Sequence, residues 1–168
     1  NNLLGIYSAS VNSCATVSDI IRGNYKFSKY KNEIEEILNN YRKYKLQHNT
    51  FDYDDLLFLT KFILENYESV RAKMDEQYKY ISCDEYQDTN TLQDTIFNIL
   101  SDGGRKLFCV GDVKQSIYKF RGANPSNFLS KKKAAKHLFD LTEKDMLRVD
   151  LSSNFRSRPE ICEFINSV

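Results

Sequence analysis

Residues 80–90, Tyr-Ile-Ser-Cys-Asp-Glu-Tyr-Gln-Asp-Thr-Asn, constrain the fold more than any other stretch of the chain. A short apolar run follows a charged segment, which suits a buried strand, and it stops at two adjacent carboxylates, Asp84 and Glu85. A helical pattern starts at Thr91, with Leu92, Ile96, Phe97, Ile99 and Leu100 as its apolar side. It ends at Ser101-Asp102-Gly103-Gly104, which reads as a C-cap and turn. Lys106–Val110 is a second short apolar strand, and Gly111 opens its exit loop. Strand, helix and strand of this length make a βαβ unit, so the two strands are expected to be parallel neighbours. Asp84 and Glu85 would then leave the sheet at the same edge as Asp112 and Gln115, which predicts one site built by two loops.

Two acids on a fading strand point to opposite faces, so they can take different roles. In metal-assisted phosphoryl transfer one acid holds magnesium through its water shell, and another orients or deprotonates the attacking water. A plainer reading stays open, in which Asp88, Thr89 and Asn90 simply cap the helix at Thr91. Gln115 carries an uncharged amide that can sense a terminal phosphate without adding charge, or can bond loop backbone. Gln87 invites the same pair of readings. Tyr118-Lys119-Phe120-Arg121 alternates aromatic and basic side chains. Aromatic faces stack on unpaired bases while Arg and Lys meet phosphates, which suits single-stranded nucleic acid. The same pattern also describes a core aromatic flanked by solvated charges.

The remainder of the chain is mostly helical in pattern. Residues 1–28 are the least readable, with short helices or loops expected and a helical turn near Val17 to Ile21. Residues 29–47 read as a helix carrying Tyr30, Ile34, Ile37, Leu38, Tyr41 and Tyr44. Asp52 suits an N-cap, followed by a stripe of Leu56, Leu57, Leu59, Ile63 and Leu64. Asp52, Asp54 and Asp55 form an acidic cluster, open to a metal-dependent nuclease or to helix capping. A short helix follows over Glu68 to Gln77, and another opens at Asn124-Pro125-Ser126 with a solvated run of Lys131, Lys132, Lys133 and Lys136. Residues 138–145 read as a loop, Met146–Leu151 as a half-buried strand, and Ser157–Glu160 as the start of a last helix bearing Ile161, Phe164 and Ile165. A net charge of +1 gives no global basic signal, so any nucleic-acid contact must rest on local patches. The four cysteines lack a CxxC pair, and Cys83 and Cys109 fall in the strands as small hydrophobes. This points to a reducing, cytoplasmic setting without disulfides or zinc. No run approaches the length of a membrane span, so no membrane partner is expected.

Together with Val110–Ala123 and Leu151–Pro159, the 80–90 stretch resembles the UvrD/Rep/PcrA-type superfamily 1 DNA helicases, and equally the helicase part of AddA/RecB-type helicase-nucleases. Asp84-Glu85-Tyr86-Gln87-Asp88-Thr89-Asn90 looks like their motif II, Gly111–Ala123 like motif III, and Leu151–Glu160 like motif IV. Phe51–Leu57 is similar to a segment that precedes motif II. The resemblance covers residues 50–168 with the family's order and spacing.

It implies an α/β fold: part of a RecA-like P-loop NTPase core, parallel strands flanked by helices, preceded by a helical segment. Residues 1–50 would end the helical 1B-type insertion, 51–141 would belong to the motor core, and 142–168 would begin the second motor domain. The implied cofactors are ATP and Mg2+, with Asp84 on the metal and Asp84, Glu85, Gln115 and Arg156 as the catalytic set. Arg156 would reach the γ-phosphate from the second motor domain. Gln87, Asp112 and Arg121 would contact nucleotide. Tyr118, Phe120 and Arg121 would contact DNA, with Phe120 standing where the family often has Trp. Arg121 is thus open to either role. The implied partners are single- and double-stranded DNA and a helicase-nuclease partner subunit, with 3′→5′ polarity. The chain departs from the family in lacking a Gly-Lys-Thr/Ser phosphate loop and motifs V and VI. The expectation is therefore an internal fragment of an ATP-dependent DNA helicase, inactive alone. The alternative is a non-catalytic module that binds single-stranded DNA or a partner.

Overall fold

The structure, a computed structural model, describes residues 2–22, 24–137, 139, 142 and 145–167. Their contacts divide the chain into two units, Asn1–Lys131 and Lys132–Val168.

The first unit runs α1 (Asn2–Asn12), α2 (Val17–Arg22), α3 (Tyr25–Ser28), α4 (Lys31–Gln47), α5 (Tyr53–Asn66), α6 (Glu68–Gln77), β1 (Ile81–Cys83), α7 (Thr91–Leu100) and β2 (Leu107–Cys109). The helix α8 (Pro125–Ala134) starts in this unit and ends in the next. β1 and β2 pair in parallel, Ile81 opposite Leu107 and Cys83 opposite Cys109, so the expected βαβ unit forms around α7. Among the described residues the sheet has these two strands. One face, Ile81, Cys83, Leu107 and Cys109, is half-buried, while Ser82 and Phe108 face outward. Burial pushes both thiols up, Cys83 above its ordinary value and Cys109 to about 11, so they stay protonated as small apolar groups at neutral pH.

The core is helical. It joins Ile6, Tyr7 and Val11 of α1, Ile21 of α2, Ile34 and Leu38 of α4, Leu64 of α5, and Leu92 and Ile96 of α7. Each such aliphatic side chain contributes about 1.5–3 kcal/mol on burial. The continuous helix α1 replaces the short helices or loops expected at the start of the chain. Its apolar positions are interleaved with Ser8, Ser10 and Asn12, which blur the periodicity. Their polar groups turn back onto the helix, as where the Ser10 hydroxyl donates to the Tyr7 carbonyl at 2.8 Å. Similar corrections apply to the expected stripes. In α5 Leu64 is buried and Leu57 and Leu59 half-buried, while Leu56 and Ile63 are exposed. At 3.6 residues per turn, Leu57 and Leu64 stack two turns apart, and Leu56 and Ile63 lie one step round the helix. In α4 the inward face is Ile34, Leu38 and Lys45, with Tyr30, Ile37 and Tyr44 outside.

The second unit contains the end of α8, an isolated parallel bridge between Lys136 and Leu147, and α9 (Pro159–Ser167). The strand expected over Met146–Leu151 does not form. Lys136 N–H donates to the Met146 carbonyl and Arg148 N–H to the Lys136 carbonyl, both at 2.8 Å, and the pairing stops there. Leu147, Val149 and Leu151 are exposed, because an alternating pattern without a neighbouring strand has neither a ladder nor a face to bury. Arg148 grips Asp150 at 2.7 Å and, as the leading cause, holds its carboxyl below the usual carboxylate value. The loop expected over 138–145 lies largely outside the described residues. Among the described residues no helix is long and apolar enough to cross a membrane.

Candidate functional site

β1 ends at Cys83, and the chain then reverses hand. Glu85 adopts φ 50° and ψ 40°, the left-handed region that costs a non-glycine residue about 1–2 kcal/mol. A left-handed turn, rather than the strand pleat expected from sequence, therefore separates Asp84 from Glu85. Hydrogen bonds hold the turn. Glu85 N–H donates to Asp84 Oδ1 at 2.8 Å, Tyr86 N–H to the Val110 carbonyl at 2.9 Å, and Asp88 N–H to the Glu85 carbonyl at 2.9 Å. Both carboxylates are exposed at the end of the sheet.

Gln87 is fully buried beneath them, 1% exposed. Its amide N–H donates to Glu85 Oε2 at 2.7 Å, and its carbonyl oxygen accepts from Asp112 N–H at 2.9 Å. One side chain thus ties the loop after β1 to the loop after β2. Gly111 permits this approach, since a Cβ there would stand 2.5 Å from Gln87 Oε1. The second loop then makes a short 3₁₀ turn over Val113–Gln115, capped by Asp112, whose Oδ1 accepts from Lys114 N–H at 3.0 Å. Gln115 donates from Nε2 to Asp112 Oδ2 at 3.3 Å, and the Ser116 hydroxyl donates to the Gln87 carbonyl at 3.3 Å. Asp84, Glu85, Asp112 and Gln115 are all exposed on these two joined loops. Oxygen donors of this kind suit a hard cation such as Mg2+, which binds through one or two carboxylates plus substrate phosphates. Among the described residues no group of three or more His, Cys, Asp or Glu could by itself hold a metal.

Tyr118–Arg121 follows directly. Lys119–Arg121 form a 3₁₀ turn closed by Gly122 at φ 86°. The ring of Phe120 is 78% exposed and its centroid lies 6.0 Å from that of Tyr118. The Arg121 guanidinium sits over both rings, 5.1 Å from Tyr118 and 5.5 Å from Phe120. The aromatics are therefore a surface platform with a cation on it, not core residues. Past the turn, Asn124 N–H donates to the Thr89 carbonyl at 2.8 Å, pinning this segment to the 80–90 stretch.

The acidic cluster at 52–55 is taken up by capping. Asp52 and Asp55 form a reciprocal capping box on α5. The buried Lys45 ammonium lies 2.7 Å from Asp52 and 2.6 Å from Asp55, and Tyr41 and Tyr7 donate hydroxyls to the same two carboxylates. Asp54 accepts from Asn12 Nδ2 at 2.8 Å. In the second unit Arg156 is exposed, in a turn where its N–H and that of Ser157 both donate to Asn154 Oδ1 at 3.0 Å.

Compared with known proteins, residues 6–136 match the model of the UvrD/REP helicase N-terminal domain. The chain belongs to the UvrD/REP helicase family. Within it, an ATP-dependent helicase/nuclease subunit of Syntrophomonas wolfei is 42% identical over 146 residues, covering 86% of this chain and 11% of that protein. The exonuclease/helicase subunit RexA of Lactococcus lactis is 37% identical over 161 residues, 89% of this chain and 13% of that protein. An ATP-dependent helicase/nuclease subunit of Carboxydothermus hydrogenoformans is 41% identical over 135 residues, 80% of this chain and 11% of that protein. The chain thus spans 11–13% of the length of these curated relatives.

The UvrD/REP match includes both sheet-edge loops and the aromatic platform, and Arg156 lies beyond it. In this UvrD/REP domain, several residues that position the loops escape a reading of the sequence. Asn12 is one: it accepts from Asn90 Nδ2 at 2.7 Å while donating to Asp54, tying α1 to the N-cap of α7. Lys131, the first of the lysine run, is another. It is not solvated but meets Asp94 at 3.2 Å and Asn98 at 2.9 Å beneath the buried Tyr86 ring. A Gly immediately after a strand, as at Gly111, is the one sequence signal that a backbone is closely approached there.

Proposed function

We propose that the protein carrying this segment is an ATP-dependent DNA helicase of the helicase-nuclease type, acting in the cytoplasm on single- and double-stranded DNA with a partner subunit. The segment would be part of its RecA-like motor core and supply the hydrolysis and coupling half of the site. The observation that carries this reading is the Gln87 bridge, which joins the Asp84/Glu85 loop to the Asp112/Gln115 loop at one sheet edge. Mg2+ and ATP supply a polarised phosphoryl group when bound. Asp84 is positioned to hold the metal through water, Glu85 to orient the attacking water, and Asp112 and Gln115 to meet the terminal phosphate. Arg156 would add its charge from the second motor domain. Tyr118, Phe120 and Arg121 would stack and pair with single-stranded DNA, so a loop that senses nucleotide is continuous with one that holds DNA. Translocation would run 3′→5′.

No Gly-Lys-Thr/Ser loop occurs in these 168 residues, so the chain alone is expected to show no magnesium-dependent ATP turnover. In the full-length protein, Glu85→Gln should reduce ATP turnover by about 100-fold or more while sparing DNA binding, the scale of a lost general base. Unchanged turnover in that variant would exclude the assignment. The exposed platform at Tyr118 and Phe120 also favours a second reading, a module that binds single-stranded DNA without catalysis. Robust binding by a full-length protein that lacks DNA-stimulated ATPase would select it.

A further inference from the structure

We propose that Gln87 is a positioning residue that locks the Glu85 carboxylate to the 111–116 loop, so that the posture of that loop sets the readiness of Glu85 for hydrolysis. The inference rests on the helicase reading above and adds the coupling element to it. Three features single out Gln87. Its side chain is buried at 1% exposure, out of reach of a ligand in solution. Its single amide makes two bonds of opposite sense, donating to Glu85 at 2.7 Å and accepting from Asp112 N–H at 2.9 Å. Its backbone carbonyl takes the Ser116 hydroxyl at 3.3 Å from the far end of the same loop. A carboxylate on one side and an N–H on the other demand a group that both donates and accepts. An amide meets that demand, and neither an apolar side chain nor an ionised acid does. Glu85 itself sits in a left-handed backbone conformation beyond the end of β1, where no strand pairing holds its side chain. The Gln87 N–H is what holds that carboxylate. Gly111 completes the device, because its missing Cβ leaves the space that the Gln87 carbonyl oxygen enters. A shift of the 111–116 loop on meeting phosphate or DNA is passed through one rigid amide to the carboxylate that orients water.

The test is steady-state, DNA-stimulated ATP turnover by the full-length protein and its variants. Gln87→Ala is expected to lower kcat by about 100-fold, the cost of a misplaced catalytic group, with KM for ATP little changed. Gln87→Glu places a second carboxylate against Glu85, and two such acids share a proton as pH falls. Once protonated, that acid donates to Glu85 and accepts from Asp112 N–H as the amide does. The ratio of its kcat to that of the parent should therefore rise as pH is lowered from about 8 to about 6. A ratio independent of pH, or a raised KM with kcat intact, would overturn the proposal. Gly111→Ala guards against a Gln87 variant that fails to fold. It leaves Gln87 in place but drives a methyl into its carbonyl oxygen, and it should reproduce the loss of kcat. Full kcat in a folded Gly111→Ala protein would also overturn the proposal. Glu85→Gln separates the two levels: if it leaves turnover unchanged, the helicase reading itself falls, whatever Gln87 does.

Discussion

Lys45 Nζ lies 2.7 Å from Asp52 and 2.6 Å from Asp55, so one buried cation neutralises both acids of the α5 capping box. Removing it leaves two carboxylates facing each other across a helix start with little water around Asp55. Lys45→Met should destabilise the folded chain by about 3 kcal/mol, at the lower end for a broken buried pair because Asp52 is partly exposed. Urea denaturation followed by circular dichroism measures it. A loss under about 0.5 kcal/mol would show that the cluster is not held by Lys45.

The same cluster sets a pH dependence. Burial works to raise Asp52, but the Lys45 hydrogen bond, the Asp55 backbone N–H and the Tyr41 hydroxyl outweigh it and hold the carboxyl below its usual value. The unfolded chain then binds protons more readily, so this stability is present above the ordinary carboxylate range and is lost as pH falls through it. Burial likewise works to lower Lys45, yet its bonds to Asp52, Asp55 and Tyr7 hold its ammonium above the usual value. That contribution is present at neutral pH and is lost only as pH rises beyond the lysine range. Urea midpoints at pH 7 and pH 3 should differ more for the parent chain than for Lys45→Met.

Beneath the candidate site, the Tyr86 hydroxyl donates to Asp94 Oδ1 at 2.5 Å in a fully buried setting. Burial, then the bond to Asp94, hold the phenol above its ordinary value, so it remains a donor throughout the accessible pH range. Tyr86→Phe removes the donor while Lys131 and Asn98 still serve Asp94. The expected cost is about 1–2 kcal/mol, a charge-assisted bond lost from a partly satisfied acceptor. A neutral result in thermal or urea unfolding would contradict this.

Phe120 carries little of the fold, being largely exposed, so its removal isolates binding from stability. Phe120→Ala is expected to weaken single-stranded DNA binding by about 1–3 kcal/mol, the worth of a base stacked on an aromatic face. Arg121→Ala should reduce both affinity and its salt dependence. Fluorescence anisotropy with a labelled oligonucleotide at two salt concentrations reads both effects. Equal affinity of Phe120→Ala and the parent would remove the platform from the DNA site.

The local order of the chain is legible through most of the first unit. Asp52 and Asn90 announce their helices by capping residues, and the strand–helix–strand spacing around α7 allows only parallel neighbours, so β1 and β2 pair as expected. The segment 146–151 shows the limit of such reasoning. Its alternation is real, but a strand needs an adjacent strand, which a pattern within one segment does not supply.

Caps, periodicity and connection length act over a few residues, so the order of amino acids is enough to settle which short segments become helices and strands, and which side chains arrive at the sheet edge. What those side chains do to one another depends on the packed fold. Gln87 reads as a loop amide until the left-handed turn at Glu85 and the bare Gly111 backbone fold it under both loops. Asn12 and Asn90 are 78 positions apart and meet only because α1 packs into the helical core. Lys45 looks like one more solvated lysine of α4 until α5 brings Asp52 and Asp55 to it. Each of these depends on a desolvated hydrogen bond between separate elements, whose energy exists only once the apolar core has excluded water around it.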